Sequence, residues 1–192
     1  MLMQRRHPRI IEFREWVDDI RRCERCFPAD KKFCDVPIYR GNYKAFIVGL
    51  APSLYRTQPG MSFTAKSKET YYKLLKVLEL SREPVYTTNL VKCTLPKVKT
   101  GTIPNCLPFL RRELRILNPR QVILFGRDVT DAVLGKGYTL NGKAILKAGL
   151  LYFPIPHPMW VYYNPQNWER YYKFLLRVKP ALEIGWQQER LA

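Results

Sequence analysis

The sequence predicts an α/β fold: a three-layer α/β/α sandwich around a central, mostly parallel four-stranded sheet. Three observations predict it. Short apolar runs such as Ala45-Phe-Ile-Val-Gly49 and Gln121-Val-Ile-Leu-Phe125 carry no alternation, as expected of strands covered on both faces. Segments with apolar residues at helical spacing alternate with these runs, the order expected of a parallel sheet with crossover helices. Breakers such as Pro28, Pro37, Gly41, Pro52, Pro59 and Gly60 mark the connecting stretches.

The elements follow in order. Ile10, Phe13, Val17 and Ile20 recur at helical spacing, so residues 8–22 predict an amphipathic helix, which runs into Cys23-Glu-Arg-Cys26. An irregular stretch follows, broken by Pro28, Pro37, Gly41 and Asn42. Residues 45–49 predict the first strand, ending in glycine. After a loop with Pro52, Pro59 and Gly60, residues 68–80 predict a helix with Tyr71, Leu74, Leu75 and Leu78 on one face. Residues 85–90 are β-rich and follow Pro84. Asn105 predicts the N-cap of a helix through Leu117, with Pro108 tolerated in its first turn. Residues 121–125 form a buried strand ended by Gly126, with a short helix behind it. Residues 142–153 predict a further strand or hairpin, and residues 166–178 a closing helix carrying Trp168, Tyr172 and Leu175. No internal repeat or boundary interrupts residues 1–192, which are expected to form one domain with the N-terminal helix and the C-x2-C segment packed on it.

On this frame the unusual residues gather. Gly49-Leu-Ala-Pro-Ser53 follows the first strand, Asn89 ends the second, Gly126 follows the third and His157-Pro158 the last. Ligands of open α/β sheets bind outside the carboxyl ends of the strands, so these segments are expected to face one crevice.

Composition narrows the partner. The chain has 192 residues, 46% of them hydrophobic and 13% aromatic, which is globular composition with enough length for a core. Lys and Arg number 33 against 16 Asp and Glu, a net charge of +17, and a polyanion is the simplest partner for such self-repulsion. The basic residues come in small groups, among them Arg5, Arg6 and Arg9; Lys66, Lys68, Lys73 and Lys76; Lys92, Lys97 and Lys99; and Arg111, Arg112 and Arg115. Several adjoin aromatics, as in Tyr71-Tyr72-Lys73 and Tyr171-Tyr172-Lys173, which favours nucleic acid. No helix joins one basic face to a wide exposed apolar one, so a membrane surface is not the expected partner. Met1 to Arg9 lacks the apolar core of a secretory signal, and no run approaches the roughly 20 apolar residues of a membrane span. A soluble intracellular protein is expected.

Five cysteines and two histidines are the candidate ligands. Cys23 and Cys26 form a C-x2-C pair, and Cys93 and Cys106 lie far downstream. In an intracellular chain this arrangement points to metal before disulfides. Three readings stand: unrelated buried thiols, a four-cysteine structural zinc site, and an iron–sulfur cluster. Zinc sites usually pair two tight C-x2-C motifs, and the looser second pair here tilts the choice towards iron–sulfur. Cys34, in an irregular charged stretch, is the less favoured ligand.

With these residues assembled, the chain resembles the uracil-DNA glycosylase superfamily, in its iron–sulfur branch known as families 4 and 5. The resemblance spans roughly residues 18–178. It rests on Gly49-Leu-Ala-Pro-Ser53 with Gly60 and Phe63 behind it, Thr88-Asn-Leu-Val-Lys-Cys93, Cys106-Leu-Pro-Phe-Leu110, Leu117-Asn-Pro-Arg120, Leu124-Phe-Gly126, and Pro156-His157-Pro158 with Asn164-Pro165. It implies a structural [4Fe–4S] cluster on Cys23, Cys26, Cys93 and Cys106, with zinc as the alternative. It also implies hydrolysis of the N-glycosidic bond of a flipped base, uracil or another deaminated base, in base-excision repair.

The roles follow from the match. Phe63 would stack on the base, Asn89 would read its edge, and Gly49, Leu50 and Ala51 would line the pocket with backbone donors. His157 would stabilise negative charge on the leaving base, and Ser53 would position water. Met159 or Trp160 would fill the gap left in the duplex, and Lys97 and Lys99 in the 94–105 loop would contact phosphate. Family 4 carries an acidic residue directly after the first glycine. Leu50 occupies that place here, which brings the pattern closer to family 5 and its broader choice of bases. The resemblance implies a cytoplasmic, nucleoid-associated monomer acting on DNA. A catalytically inactive DNA-binding protein of the same fold is the alternative, and a metal-dependent nuclease lacks the acidic pair that it would need.

Overall fold

The structure is a computed structural model that describes residues 8–26, 34, 43–52, 65–81, 85–95, 97–99 and 101–189. Among the described residues six α-helices and five strands follow in order: α1 (Pro8–Arg22), β1 (Ala45–Gly49), α2 (Ala65–Val77), β2 (Val85–Asn89), α3 (Thr102–Leu117), β3 (Gln121–Phe125), α4 (Arg127–Leu134), β4 (Ile145–Lys147), β5 (Leu150–Ile155), α5 (Met159–Tyr163) and α6 (Trp168–Glu189). The sheet order is β2-β1-β3-β5-β4, parallel except where β4 runs against β5. The four parallel strands are those expected. The fifth is the short first arm of a hairpin turned by Ala148 and Gly149, both at positive φ as a tight primed turn requires.

Strand alternation sends side chains into two cores. Ala45, Ile47, Ile123, Phe125, Phe153 and Ile155 pack with residues of α2, α5 and α6. Phe46, Val48, Tyr86, Val122, Leu124 and Tyr152 pack on the other face with α1, α3 and α4. The layers are therefore helix, sheet, helix, and β1 and β3 are buried along their whole length, which explains why all their residues but Gln121 are apolar.

Several element ends depart from expectation for local reasons. α2 stops at Val77 rather than residue 80, because Glu79 turns left-handed (φ 57°) and Leu80 N–H closes back on Leu75 O at 2.8 Å. Leu78 and Leu80 stay buried across that turn. α3 begins at Thr102, with Gly101 and not Asn105 at its N-cap. Pro104 therefore occupies the first turn and Pro108 the second, at an exposed position. α3 ends where Asn118 turns left-handed and donates to Leu114 O. α6 runs past residue 178 through Pro180 to Glu189, and Tyr171, Leu175, Val178 and Leu182 continue one buried stripe across the proline.

Candidate functional site

The carboxyl ends of β2, β1, β3 and β5 present Asn89, Gly49, Gly126 and His157 in that order along one sheet edge. Three interstrand steps separate the first from the last, about 14 Å at roughly 4.8 Å each. Asn89 is buried and its backbone pairs with Gly49. A Cβ on Gly49 would meet Asn89 Oδ1 at 2.8 Å, so only glycine lets the amide lie across the end of β1. Beyond the strand, Leu90 N–H bonds Gly49 O and Val91 N–H bonds Leu50 O, each at 2.8 Å. Leu50 is half-buried and its side chain packs against the core beside α1 and α3. Ala51 is half-buried. Ser53 and Phe63 lie outside the described residues.

His157 is held from several sides. Gly126 N–H bonds Ile155 O at 2.8 Å, Tyr171 Oη donates to Pro156 O at 3.1 Å, and the Phe125 ring meets the imidazole edge-on at 5.8 Å. Gly126 sits at φ 89°, a backbone conformation that favours glycine, beside His157 Cβ. The Met159 N–H donates to Nδ1 at 3.1 Å, so that nitrogen carries no proton and Nε2–H is the donor. Burial pushes the imidazole down to about 4, well below the ordinary value. At neutral pH His157 is therefore a neutral group with an N–H to give.

Met159 and Trp160 open α5 directly behind the histidine. Both are half-buried, and Trp160 packs on the core with its ring 6.3 Å from that of Tyr171. Tyr162 and Tyr163 are the exposed residues of this helix, and their rings meet edge-on at 5.3 Å. Lys97 and Lys99 are exposed. Residues 102–105, expected to continue their loop, are instead the first turn of α3.

The second assembly lies where α1 ends. Cys23, Cys26, Cys93 and Cys106 line one small cavity together with Arg25, Thr102 and Asn105. Asn105 explains its own place inside the helix: Nδ2 donates to Arg25 O at 3.2 Å and to Cys26 Sγ at 3.3 Å. Burial raises the Cys106 thiol, while a backbone hydrogen bond from Lys92 and its nearby charge favour the thiolate. Among the described residues, no three of His, Cys, Asp or Glu converge closely enough to hold a single ion. Cys34 is not among the cavity residues, but it forms an isolated antiparallel bridge with Cys93, with the sulfurs 3.6 Å apart. Sequence reasoning did not foresee that contact, because nothing in the irregular stretch signals its path.

Sequence reasoning also grouped Lys92 with the basic residues facing a polyanion. The structure corrects this. Lys92 is 1% exposed and bonds Glu113, itself 0% exposed, at 2.5 Å. Tyr86 Oη and Thr88 Oγ1 also donate to Glu113, at 2.6 and 2.9 Å. Arg112 and Arg115 are likewise partly used within the fold, bridging to Asp19 and Glu12 of α1.

The family model of the Uracil DNA glycosylase superfamily matches residues 36–182. The chain is 32% identical over 186 residues to a type-4 uracil-DNA glycosylase of Saccharolobus solfataricus, covering 86% of this chain and 84% of the relative. It is 31% identical to a type-5 uracil-DNA glycosylase of Pyrobaculum aerophilum, covering 80% and 76%, and 31% identical to a type-4 uracil-DNA glycosylase of Archaeoglobus fulgidus, covering 82% and 88%.

Proposed function

The chain belongs to the uracil-DNA glycosylase superfamily, and from that premise we propose that it hydrolyses the N-glycosidic bond of uracil in DNA, with Asn89 reading the base and His157 stabilising its departure. The observation that carries this reading is a neutral, Nε2-protonated histidine facing the same sheet edge as a buried asparagine.

The chemistry is direct. A base inside a duplex is out of reach, so it must first be swung into the crevice. Asn89 accepts from uracil N3–H through Oδ1 and donates to O4 through Nδ2. The bond between C1′ and N1 then breaks, its electron pair leaves with the base, and negative charge gathers on O2. His157 Nε2–H donates to that oxygen, and because the imidazole is neutral and already oriented, the hydrogen bond strengthens as charge develops. Water adds to the sugar cation and yields an abasic site, its proton passing to solvent or to the departed base. Phe63 stacks on the flipped ring, Gly49, Leu50 and Ala51 shape its pocket, and Ser53 positions the water. Leu50 offers no carboxylate for that last task, so excision relies on the leaving group more than on water activation. Met159 and Trp160 follow the histidine into the duplex, and Lys97 and Lys99 meet phosphates, in keeping with the net charge of +17.

The four cysteines that line one cavity fit an iron–sulfur cluster. A single zinc ion, which needs its thiolates about 3.8 Å apart from roughly 2.3 Å bonds in a tetrahedron, is the alternative. A polynuclear centre spreads its ligands more widely, and N–H donors to cysteine sulfur such as Asn105 suit one. Cys23, Cys26, Cys93 and Cys106 would hold it, and when bound it supplies a cross-link between α1, the segment after β2, and α3.

An assay on labelled duplexes with one uracil, hypoxanthine or unmodified base tests the activity. Alkali-dependent cleavage at uracil is expected. Tight binding without cleavage of any modified base would instead establish a DNA-binding protein without glycosylase activity. Iron analysis tests the centre: about four irons per chain with absorbance near 400 nm is expected, and one zinc in a colourless protein would overturn it.

A further inference from the structure

We propose that the buried group centred on Glu113 and Lys92 is a positioning device that fixes which way the Asn89 amide faces, and so sets the choice of uracil over cytosine. The inference rests on the reading of Asn89 as the base-contacting residue.

An amide is nearly symmetric in shape. Turned by half a revolution it exchanges donor and acceptor, and the turned form matches the edge of cytosine. Having asparagine at this place is therefore not enough for discrimination; its orientation must be held. Yet among the described residues β2 is an edge strand, paired to β1 alone. The backbone that carries the amide is held from the opposite face of the sheet. Strand alternation points Tyr86 and Thr88 away from Asn89, towards α3, where both donate to Glu113. Lys92 donates to Glu113 and, at 2.9 Å, to Thr88 Oγ1, and its ammonium lies 5.3 Å from the centre of the Trp16 ring. One carboxylate thus grips the chain on both sides of Asn89. Gly49 and Leu50 carbonyls grip the residues between, and Asn89 Oδ1 lies over the face that Gly49 leaves bare. A fully buried ion pair gains little stability over an apolar pair of equal size, so positional fidelity is the better account of its presence.

A double-mutant cycle tests this. Thr88→Val removes the hydroxyl while keeping shape and strand preference. We expect it to slow single-turnover excision of uracil about tenfold and to raise the cytosine-to-uracil excision ratio. In an Asn89→Ala background the same change should cost less than about twofold. Equal losses in both backgrounds would leave Thr88 and Glu113 a merely structural role and overturn the proposal. An Asn89→Ala enzyme as fast as wild type would overturn the base-contact reading itself, a distinguishable failure. Should Thr88→Val not fold by circular dichroism, Tyr86→Phe enters the same cycle with the same expected pattern.

Discussion

Asn89 and Cys93 stand four residues apart in the chain, yet they belong to regions built in different ways. Asn89 ends a strand, and its place follows from ladder hydrogen bonds that continue through the whole sheet. So do those of Gly49 and His157, each within two residues of a buried strand. The cysteine corner has no such lattice. Cys23 and Cys26 lie in irregular chain after α1, Cys93 sits in an isolated bridge, and only Cys106 is inside a helix. At the sheet edge the scaffold positions the chemistry. At the corner, chemistry would position the scaffold. Substitutions at the edge should therefore cost rate and leave stability alone, and those at the corner should do the reverse.

The largest expected effect is on the edge side. His157→Ala should lower single-turnover uracil excision by roughly 10²–10³ while moving the melting temperature little, since the residue lies in the segment after β5 and outside both cores. A large loss of Tm with a small loss of rate would break the comparison at its strongest point. The same residue predicts the acid limb. Its folded-state value of about 4 lies below the roughly 6.5 of an exposed imidazole, so its contribution to stability is present above that value and is lost as pH falls towards 4. The rate should be flat in this group from about pH 5 to 8, because Nε2–H is in place throughout. A rate that rises steadily as pH falls from 7 to 5 would mean that a protonated histidine is the working form.

At the corner, Cys106→Ala should remove the cluster and destabilise the chain by several kcal/mol, on the order of 3, read as a lower midpoint in denaturant. Loss of iron with an unchanged midpoint would sink the idea that the centre is a cross-link. Next in size is Gly49→Ala, whose methyl group must displace the Asn89 amide. A rate loss of about tenfold is expected, with melting shifted far less than by the cysteine change. The smallest effect sharpens the ligand assignment. Cys34→Ser should leave iron content at the wild-type level, because Cys34 meets Cys93 without lining the cavity. A loss of iron there would make Cys34 a ligand in place of one of the four.

The sheet edge was more legible than the corner for the same physical reason. A strand ending in glycine, asparagine or His-Pro announces its position, since period and punctuation are local properties. The buried runs 45–49 and 121–125 are found where the pattern puts them. The C-x2-C spacing was legible too, and the four cysteines do share a cavity. What stayed hidden depends on contacts distant in sequence. Lys92 looks like any surface lysine until Glu113, 21 residues later, is seen beneath it. Asn105 looks like a helix cap, and only the fold shows its side chain spent on Arg25 and Cys26. The run through Pro180 was hidden because a proline usually ends a helix, and here the buried stripe outweighs one missing hydrogen bond.

One contact sets an order of events during synthesis. Arg25 and Asn105, 80 residues apart, exchange hydrogen bonds beside the cysteines, and α1 packs on α3 through Trp16 and the Arg112 and Arg115 bridges. α1 leaves the ribosome before α3, so its docking face is made of chain that emerges among the later elements. Until then its apolar stripe has no partner, and the pair Cys23 and Cys26 has no second pair to close the site. If the corner holds the proposed centre, it can be filled only after α3 has emerged. The chain is at its most exposed to misassembly in that interval.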